Sequence, residues 1–247
     1  MNMVYLITGA SSDVGMQYIT KLEKECDDKI TVYAFYRTET ERFRDLTEGC
    51  NKLEIIPVNI DLSDSERRQS VLSGLVEEGV CPTHIVHLAA DKFDYMKIKY
   101  WDYERVRNEM EISFYAFADI CKAFVPGMAK RHTGRIVAML TSYTLGTPPK
   151  YMSDYIACKY ALMGFVKAAA AEYADKGITI NAVSPNMMET KFLDGIDNRI
   201  VEMTAQNCAM KRNIQVDETV EAIDFLMSDK ASYINGVNLN LSGGDYM

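Results

Sequence analysis

The sequence predicts a single doubly wound α/β domain, in which a parallel seven-stranded sheet lies between two layers of helices. Short apolar runs alternate with longer helical patterns along the whole chain. The apolar runs are continuous, as expected for parallel strands that are buried on both faces. No linker, repeat or change in composition divides the chain, so residues 1–247 are expected to form one unit.

Each predicted element follows from its own residues. Seven apolar runs predict strands at residues 4–8, 30–35, 53–58, 84–89, 135–140, 178–183 and 237–241. Helical patterns between them predict helices at about residues 13–25, 40–48, 63–78, 101–130, 153–176 and 216–228. Ser63 and Glu66 have the spacing of a capping box, and Gly177 follows Lys176 where the fifth helix should end. Strand–helix–strand units of this kind place helices on both faces of the sheet.

The composition excludes several classes of protein. With 27 Lys+Arg and 35 Asp+Glu, the 247-residue chain has a formal charge of −8, which argues against nucleic acid as a main partner. The values of 48% hydrophobic and 25% charged residues exclude a disordered chain. The most apolar long stretch, residues 155–174, contains Lys159, Lys167 and Glu172, so we expect no membrane-spanning helix.

The cysteines and histidines form no metal motif. No C-x-x-C pair occurs among the six cysteines, and the three histidines are dispersed. Scattered thiols are typical of proteins of the reducing cytoplasm. Residues 1–7 lack the positively charged region and the cleavage site of a signal peptide. We therefore expect a cytoplasmic protein without a metal site.

Residues 8–15 (TGASSDVG) follow the first predicted strand and lead into the first predicted helix. In a doubly wound fold, ligands bind beyond the carboxyl ends of the strands. Backbone N–H groups and the helix dipole at such a turn can bind a pyrophosphate. The turn alone is also compatible with a tight connection that binds nothing.

A second group of residues, Ser142, Tyr155 and Lys159, supports a ligand site beside the glycine turn. Tyr155 and Lys159 are four residues apart in a helical segment, so their side chains share one face. A lysine in that position can lower the pKa of a tyrosine phenol, because a nearby cation favours the phenolate. Ser142 follows the fifth strand at the ligand end. An exposed helical pair is the simpler interpretation, but its coincidence with the glycine turn and the serine favours a catalytic site.

The motifs in their order and spacing resemble a known family. They are residues 8–15, Asp61-Leu62, Leu88-Ala89-Ala90, Ser142, Tyr155-x-x-x-Lys159, residues 181–185 (NAVSP), Thr190, and the tail of residues 232–244. Together they resemble the classical short-chain dehydrogenase/reductase family over essentially the whole chain, and in particular its 3-oxoacyl-carrier-protein reductase-like members. The resemblance implies a Rossmann-type fold and an NAD(P)-dependent oxidoreductase.

The resemblance also implies roles for single residues. Tyr155 would be the general acid in carbonyl reduction, and Ser142 would hydrogen-bond the substrate oxygen. Lys159 would hold the nicotinamide ribose and tune Tyr155. Ser113 stands where the family often has an asparagine that anchors a proton-relay water, with Glu111 as the alternative if the helix is offset. Ser113 could equally be a residue that only fits the helix under the sheet.

Most of the motif residues are assigned to the dinucleotide by the resemblance. Asp61 would accept from the adenine amino group, and Met188 and Thr190 would hold the nicotinamide carboxamide, Met188 through its backbone. The full set is Gly9, Ser11, Ser12, Asp13, Val14, Gly15, Tyr36, Arg37, Thr38, Asp61, Leu62, Ala89, Ala90, Tyr155, Lys159, Pro185, Met188 and Thr190.

Some residues depart from the family pattern. Asp13 replaces the middle glycine of the turn, and we expect its carboxylate to point at the helix backbone and away from a pyrophosphate. Asn186 stands where the family usually has a glycine, and asparagine tolerates left-handed backbone. Tyr36 occupies the position of the acidic residue that NAD-preferring members have, and Arg37 offers a cationic fork for a 2′-phosphate. NADP(H) is therefore favoured over NAD(H), although Ser12 lacks the basic character common in NADP-dependent members.

The predicted function is hydride transfer between NADP(H) and a carbonyl or secondary alcohol substrate. The alternative is a catalytically silent dinucleotide-binding regulator of the same fold, which the presence of Ser142, Tyr155 and Lys159 disfavours. A sugar-nucleotide epimerase of the extended branch is a poor match, because only about 60 residues follow Pro185 and that branch needs a C-terminal substrate domain.

Residues 186–213 are predicted to form a substrate lid with an apolar wall. The candidate wall residues are Met187, Met188, Phe192, Leu193, Ile196 and Met203, with Tyr143, Tyr151 and Met152 opposite. A substrate linked to an acidic carrier protein is compatible with Lys130, Arg131 and Lys176 as docking cations. Apolar residues spread over more than one stripe of the fourth and fifth helices, so we expect a homotetramer, with a homodimer as the alternative.

Overall fold

A parallel sheet of seven strands in the order β3-β2-β1-β4-β5-β6-β7 forms the centre of the protein. The computed structural model describes residues 3–26, 29–92 and 94–245, so Met1 and Asn2 of the N-terminal segment lie outside it. The strands are β1 Met3–Thr8, β2 Ile30–Tyr36, β3 Leu53–Asn59, β4 His84–His87, β5 Gly134–Met139, β6 Ile178–Pro185 and β7 Asn238–Leu241. Every neighbouring pair is parallel, which confirms the predicted fold class.

The helices cover both faces of this sheet. They are α1 Asp13–Glu25, α2 Glu41–Gly49, α3 Ser65–Glu77, α4 Tyr103–Glu109, α5 Ala116–Arg131, α6 Ser153–Tyr173, α7 Asn198–Asn207 and α8 Val216–Met227. Successive strand residues point to opposite faces. Tyr5 and Ile7 of β1 therefore pack in the core layer of α1 and α8, whereas Leu6 packs in the layer of α3, α5 and α6.

The prediction of one uniform helix at residues 101–130 is wrong. The chain forms a 3₁₀ turn at Ile98–Tyr100, then α4, then a π-helical segment at Met110–Tyr115, then α5. A π segment contains one extra residue per turn, and such segments occur frequently at functional sites. Hydrophobic periodicity does not reveal it, because α5 continues the helical pattern on the far side.

Several predicted boundaries also differ. Strand β4 ends at His87 instead of residue 89, and β6 continues to Pro185. Helix α3 is capped by Asp64, whose side chain accepts from the Arg67 N–H, and not by the predicted capping box. Ser63 instead hydrogen-bonds Asp61. Helix α7 lies in the predicted lid and was not predicted.

One helical run in the described residues, Tyr103–Arg131, is long and apolar enough to cross a membrane by length and composition. We expected no such run from the sequence. Half of its apolar window is buried inside the fold, where Phe117, Ile120 and Phe124 pack against the sheet. Its apolar character is therefore explained by packing in the core.

Candidate active site

Three neighbouring cavities open at the carboxyl edge of the sheet. The outer cavity (≈ 290 Å³) lies beyond the ends of β1, β2 and β4. The central cavity (≈ 250 Å³) lies beyond β4, β5 and β6, under residues 187–193. The polar cavity (≈ 430 Å³) is lined by Asp91, Lys92, Asp94, Arg105, Glu109, Asp154, Tyr155 and Gly195. Tyr155 lines both the central and the polar cavity.

The turn after β1 has the close packing that a pyrophosphate cradle needs. Gly9 has a φ of 66°, and a Cβ atom there would lie 3.1 Å from the Ala89 nitrogen. At Gly15 a Cβ atom would lie 2.4 Å from the Gly9 carbonyl oxygen. Ser12 caps α1 by accepting from the Gly15 N–H. The residues present therefore fit a dinucleotide phosphate at the N-terminus of α1.

The expectation for Asp13 is wrong. Its carboxylate does not cap the helix, because Ser12 does so. Instead Asp13 accepts from the Lys191 backbone N–H at 3.0 Å and pairs with Arg42 at 3.2 Å. Asp13 thus joins the glycine turn to the segment that covers the central cavity, and Arg42 offsets its negative charge.

Arg37 lines the outer cavity. Its guanidinium lies 3.5 Å from the Asp91 carboxylate, and its side chain is half exposed. Partial burial acts to raise the pKa of Asp61, but hydrogen bonds from Ser63 and the charge of Arg37 hold that pKa below its usual value. Asp61 therefore stays a carboxylate, which is the form that accepts hydrogen bonds from an amino group.

Nearly all residues predicted to bind the dinucleotide line the outer or the central cavity. The outer cavity is lined by Gly9, Tyr36, Arg37, Thr38, Asp61, Leu62 and Ala89, and the central cavity by Asp13, Val14, Tyr155, Lys159, Pro185, Met188 and Thr190. Both cavities are lined by Ser11, Ser12 and Ala90. Gly15 lines neither, because it is buried beneath the turn. Within the described ranges, no group of three His, Cys, Asp or Glu residues is arranged to hold a metal ion.

Tyr155 and Lys159 lie together on α6, as their spacing predicts. The Lys159 ammonium lies 5.5 Å from the centre of the Tyr155 ring and donates to the Met139 carbonyl oxygen at 3.3 Å. Lys159 is 2% exposed. The ring of Phe192, from the covering segment, lies 6.3 Å from the Tyr155 ring.

The predicted lowering of the Tyr155 pKa is not found. Burial disfavours the phenolate, and the negative charge of Glu109 adds to this effect, so the pKa of Tyr155 lies above its usual value. A hydrogen bond with the Thr141 side chain acts in the opposite direction. Burial therefore favours the protonated phenol, which is the form that can donate a proton.

Ser142 is fully buried and does not line the central cavity. Its hydroxyl donates to the side-chain oxygen of Asn186 at 3.5 Å. Asn186 itself does not adopt left-handed backbone. The Ser142 hydroxyl is therefore directed at Asn186 in this structure.

Ser113 lies in the π segment and is also fully buried. Its hydroxyl donates to Glu109 at 2.7 Å, and its carbonyl oxygen lies 3.0 Å from His87 Nε2. The carbonyl can only accept, so His87 is the donor, and its Nδ1 accepts from the Thr8 hydroxyl at 2.8 Å. Glu111, the alternative to Ser113, pairs with the buried Arg68 instead.

The apolar wall of the predicted lid is confirmed only in part. Of the candidates, Met187, Met188, Phe192, Leu193, Tyr143 and Met152 line the central cavity. Ile196 is buried against Met152, while Met203 and Tyr151 are exposed. The Met188 sulfur accepts from the Thr219 hydroxyl, so this side chain packs into the core.

Three residues near Tyr155 were missed. Thr141 hydrogen-bonds Tyr155, His87 joins β4 to the π segment, and Glu109 lines the polar cavity. Only Glu109 could have been found from the sequence, because it lies four residues before Ser113 and so shares a helical face with Ser113. The other contacts cross between strands and helices, which sequence spacing does not reveal.

Known proteins resemble this chain over nearly its whole length. A family model described as enoyl-(acyl carrier protein) reductase matches residues 10–245. The 3-oxoacyl-[acyl-carrier-protein] reductase FabG of Buchnera aphidicola subsp. Acyrthosiphon pisum is 32% identical over 248 residues, which cover 98% of this chain and 96% of that protein.

Solved structures share the fold at lower identity. A tyrosine-to-phenylalanine variant of ElxO with NADPH bound has a TM-score of 0.86 at 23% identity and covers 99% of this chain and 98% of its own. A 3-oxoacyl-[acyl-carrier protein] reductase with bound NAD from Brucella melitensis has a TM-score of 0.84 at 22% identity and covers 99% and 91%. The family match over residues 10–245 and the parallel seven-stranded sheet show that the chain belongs to the short-chain dehydrogenase/reductase family and is an oxidoreductase.

Proposed function

We propose that this oxidoreductase transfers hydride between NADP(H) and a carbonyl or secondary alcohol substrate, with Ser142, Tyr155 and Lys159 as its catalytic residues. The observation that carries the proposal is the position of Tyr155. Its protonated phenol lines the central cavity beside Lys159, and the pyrophosphate cradle opens into the same cavity. A proton donor and a dinucleotide site that share one cavity support reduction of a carbonyl.

The residues around the central cavity have separate roles in the reaction. The nicotinamide supplies the hydride when it is bound. Tyr155 gives its phenolic proton to the oxygen of the substrate, and the fixed charge of Lys159 stabilises the phenolate that remains. After its hydroxyl turns from Asn186, Ser142 donates a hydrogen bond to the same oxygen while negative charge develops there. Phe192 and Leu193 cover the cavity and exclude water.

NADP(H) is the proposed cofactor because of charge at the outer cavity. Arg37 lines it, and Tyr36 stands where an acidic residue would accept from a ribose hydroxyl. A guanidinium can form two parallel hydrogen bonds with a phosphate, whereas a tyrosine offers no repulsion. The related structures include both an NADPH and an NAD complex, and titration of this protein with both cofactors tests the assignment.

An acyl substrate carried by an acidic protein fits the central cavity. The cavity wall is largely apolar, with Met152, Met187 and Leu193 among its residues. The predicted docking cations are less suitable, because Lys130, Arg131 and Lys176 precede β5 and β6 and so lie at the opposite edge of the sheet. Arg131 and Lys176 also bind the Cys81 carbonyl and Asp175.

Cations closer to the cavity come from residues 97–99. Met96 forms a β-bridge with Met152, which lines the central cavity, and Lys97 lies over the exposed Tyr151 ring. Lys97 and Lys99 are exposed. We therefore assign docking of an acidic carrier to this rim, and charge reversal at both lysines should raise KM for a carrier-linked ketone but not for a free one.

The remaining assignments follow the family. We propose a cytoplasmic protein with one dinucleotide-binding domain and a lid at residues 186–213. Exposed Tyr115 and Tyr160 lie on the π segment and α6, the helices expected to pair between subunits. This supports a homotetramer or a homodimer.

The test is Tyr155→Phe with Tyr160→Phe as a matched control on the same helix. Loss of the phenolic proton should lower turnover of a ketone panel with NADPH by at least ~100-fold, while NADPH binding by fluorescence stays unchanged. Tyr160 lines none of the three cavities, and its variant removes only a hydroxyl group, so turnover should stay at the wild-type level. Near-normal turnover in Tyr155→Phe contradicts the catalytic assignment. A wild-type protein that binds NADPH and reduces no ketone would instead support the silent regulator.

A further inference from the structure

We propose that the buried carboxyl group of Glu109 carries protons between the polar cavity and the Tyr155–Lys159 pair. The inference rests on the proposed function, because it concerns how Tyr155 regains the proton that it gives to a substrate. Glu109 has no part in the mechanism described above and does not touch the central cavity.

Glu109 is held in place from two sides. It is 8% exposed and is the last residue of α4, where the π segment begins. One carboxyl oxygen accepts from the Ser113 hydroxyl at 2.7 Å, and the other accepts from the Asp91 backbone N–H at 3.2 Å. The Cys158 thiol donates to the Glu109 carbonyl oxygen at 3.6 Å, which places this residue against α6. Both ends of the carboxyl group are therefore oriented.

The polar cavity connects Glu109 to solvent. Glu109 and Tyr155 line the same cavity of ≈ 430 Å³. Asp154, which is 3% exposed, also lines it; one of its carboxylate oxygens pairs with Arg105 at 3.0 Å, while the other is buried without a hydrogen-bond partner. A buried oxygen of this kind needs a partner, and a polar cavity of this size holds water that can supply one.

The hydrogen-bonding groups of Ser113 are already occupied. The resemblance assigns a relay water to the position of Ser113, but the carbonyl oxygen of Ser113 accepts from His87. The Ser113 hydroxyl is also used, because it donates to Glu109. The role of Ser113 is therefore to hold Glu109, and the titratable group at this place is the carboxyl.

The charges around Glu109 come from three elements. Burial raises the pKa of its carboxyl, while Lys159 and the hydrogen bonds from Ser113 and Asp91 act to lower it. The charged and titratable groups that face it are Asp91, Lys92 and Asp94 from the loop after β4, Arg105 from α4, and Asp154, Tyr155, Cys158 and Lys159 from α6. The net effect is a pKa above the usual value of a glutamate, which favours uptake of a proton from the polar cavity.

After reduction, Tyr155 is a phenolate. A water molecule in the polar cavity protonates the Glu109 carboxylate, and the hydroxide that remains is neutralised by solvent buffer. The new carboxylic O–H bond of Glu109 then breaks as its proton passes to the Tyr155–Lys159 pair, and the phenol is restored. In alcohol oxidation each step runs in reverse.

Glu109→Gln tests the proposal, because the amide keeps the shape and can still accept from Ser113 but cannot carry the proton. Turnover should fall at least ~10-fold, less than the ~10²–10⁴-fold of a direct acid–base group, with KM for ketone and NADPH unchanged. Glu109→Asp should restore part of the turnover. The matched control is Glu104→Gln, an exposed carboxylate on the same helix, which should behave like the wild type.

Two readouts separate this proposal from the proposed function. The pH profile of kcat should lose one ionisation in Glu109→Gln. The infrared difference spectrum between the wild type and Glu109→Gln, recorded over the same pH range without substrate, should show one buried carboxyl group that gains and loses a proton. Wild-type turnover and pH profile in Glu109→Gln overturn the proposal and leave the function intact. Equal losses in the Gln and Asp variants, with an unchanged pH profile, also overturn it, since they indicate packing alone. A wild-type protein without ketone reductase activity refutes the proposed function instead.

Discussion

Replacement of Arg37 by alanine tests the cofactor assignment. The guanidinium lies 3.5 Å from Asp91 and its side chain is half exposed, so this pair contributes at most ~1 kcal/mol. A hydrogen bond to a charged phosphate contributes ~1.5–3 kcal/mol. The phosphate therefore displaces Asp91 from the arginine with a net gain of ~0.5–3 kcal/mol. Loss of the guanidinium should raise the Kd for NADPH ~2- to 150-fold, at ~1.4 kcal/mol for each factor of ten.

NADH has no 2′-phosphate, so its Kd should change little in Arg37→Ala. Asp91→Asn should act in the opposite direction: it frees the arginine and tightens NADPH by no more than ~5-fold, the equivalent of ~1 kcal/mol. Arg44→Ala is the control, because Arg44 is an exposed arginine on the neighbouring α2 that pairs with Glu39.

The assay is a titration that follows cofactor fluorescence at ionic strengths of ~0.1 M and ~1 M, which shorten the screening length from ~10 Å to ~3 Å. The preference of the wild type for NADPH should shrink at high salt, and Arg37→Ala should show no such change. Equal losses of NADPH and NADH affinity in this variant would refute the reasoning, because they would show that Arg37 supports the fold of the pocket and does not contact the phosphate.

Three further predictions concern stability and assembly. Arg68 is 2% exposed and binds two carboxylates and the Leu62 carbonyl oxygen. Arg68→Met should therefore lower the free energy of unfolding, measured in urea, by ~3 kcal/mol. A loss under ~1 kcal/mol would contradict a buried charge network. Burial lowers the pKa of His84 to about 4 and that of His87 to about 3. The unfolded chain binds these protons more readily, so stability should be constant above about pH 6.5 and fall towards pH 4; a constant urea midpoint over that range would be inconsistent with this. Light scattering should give a dimer or tetramer mass, and a mass of 27.9 kDa at micromolar concentration would refute both assemblies.

Much of the fold could be predicted because local chemistry determines it. Continuous apolar runs mark strands that are buried on both faces, and all seven observed strands begin within one residue of the predicted start. The glycine turn and the Tyr155–Lys159 pair are also local, since one depends on backbone conformation and the other on helical spacing. These parts of the candidate site follow from residues that are neighbours in the chain.

Tertiary structure alone decided the contacts between distant residues. Asp13 was expected to contact its own helix, but its carboxylate accepts from the backbone N–H of Lys191, far along the chain. The raised pKa of Tyr155 and the orientation of Glu109 depend on how α4 and α6 pack together. Sequence spacing specifies which side chains share a face of one element. Which of them become buried, and which charges then lie beside them, is fixed only when helices and strands from different parts of the chain exclude water between them.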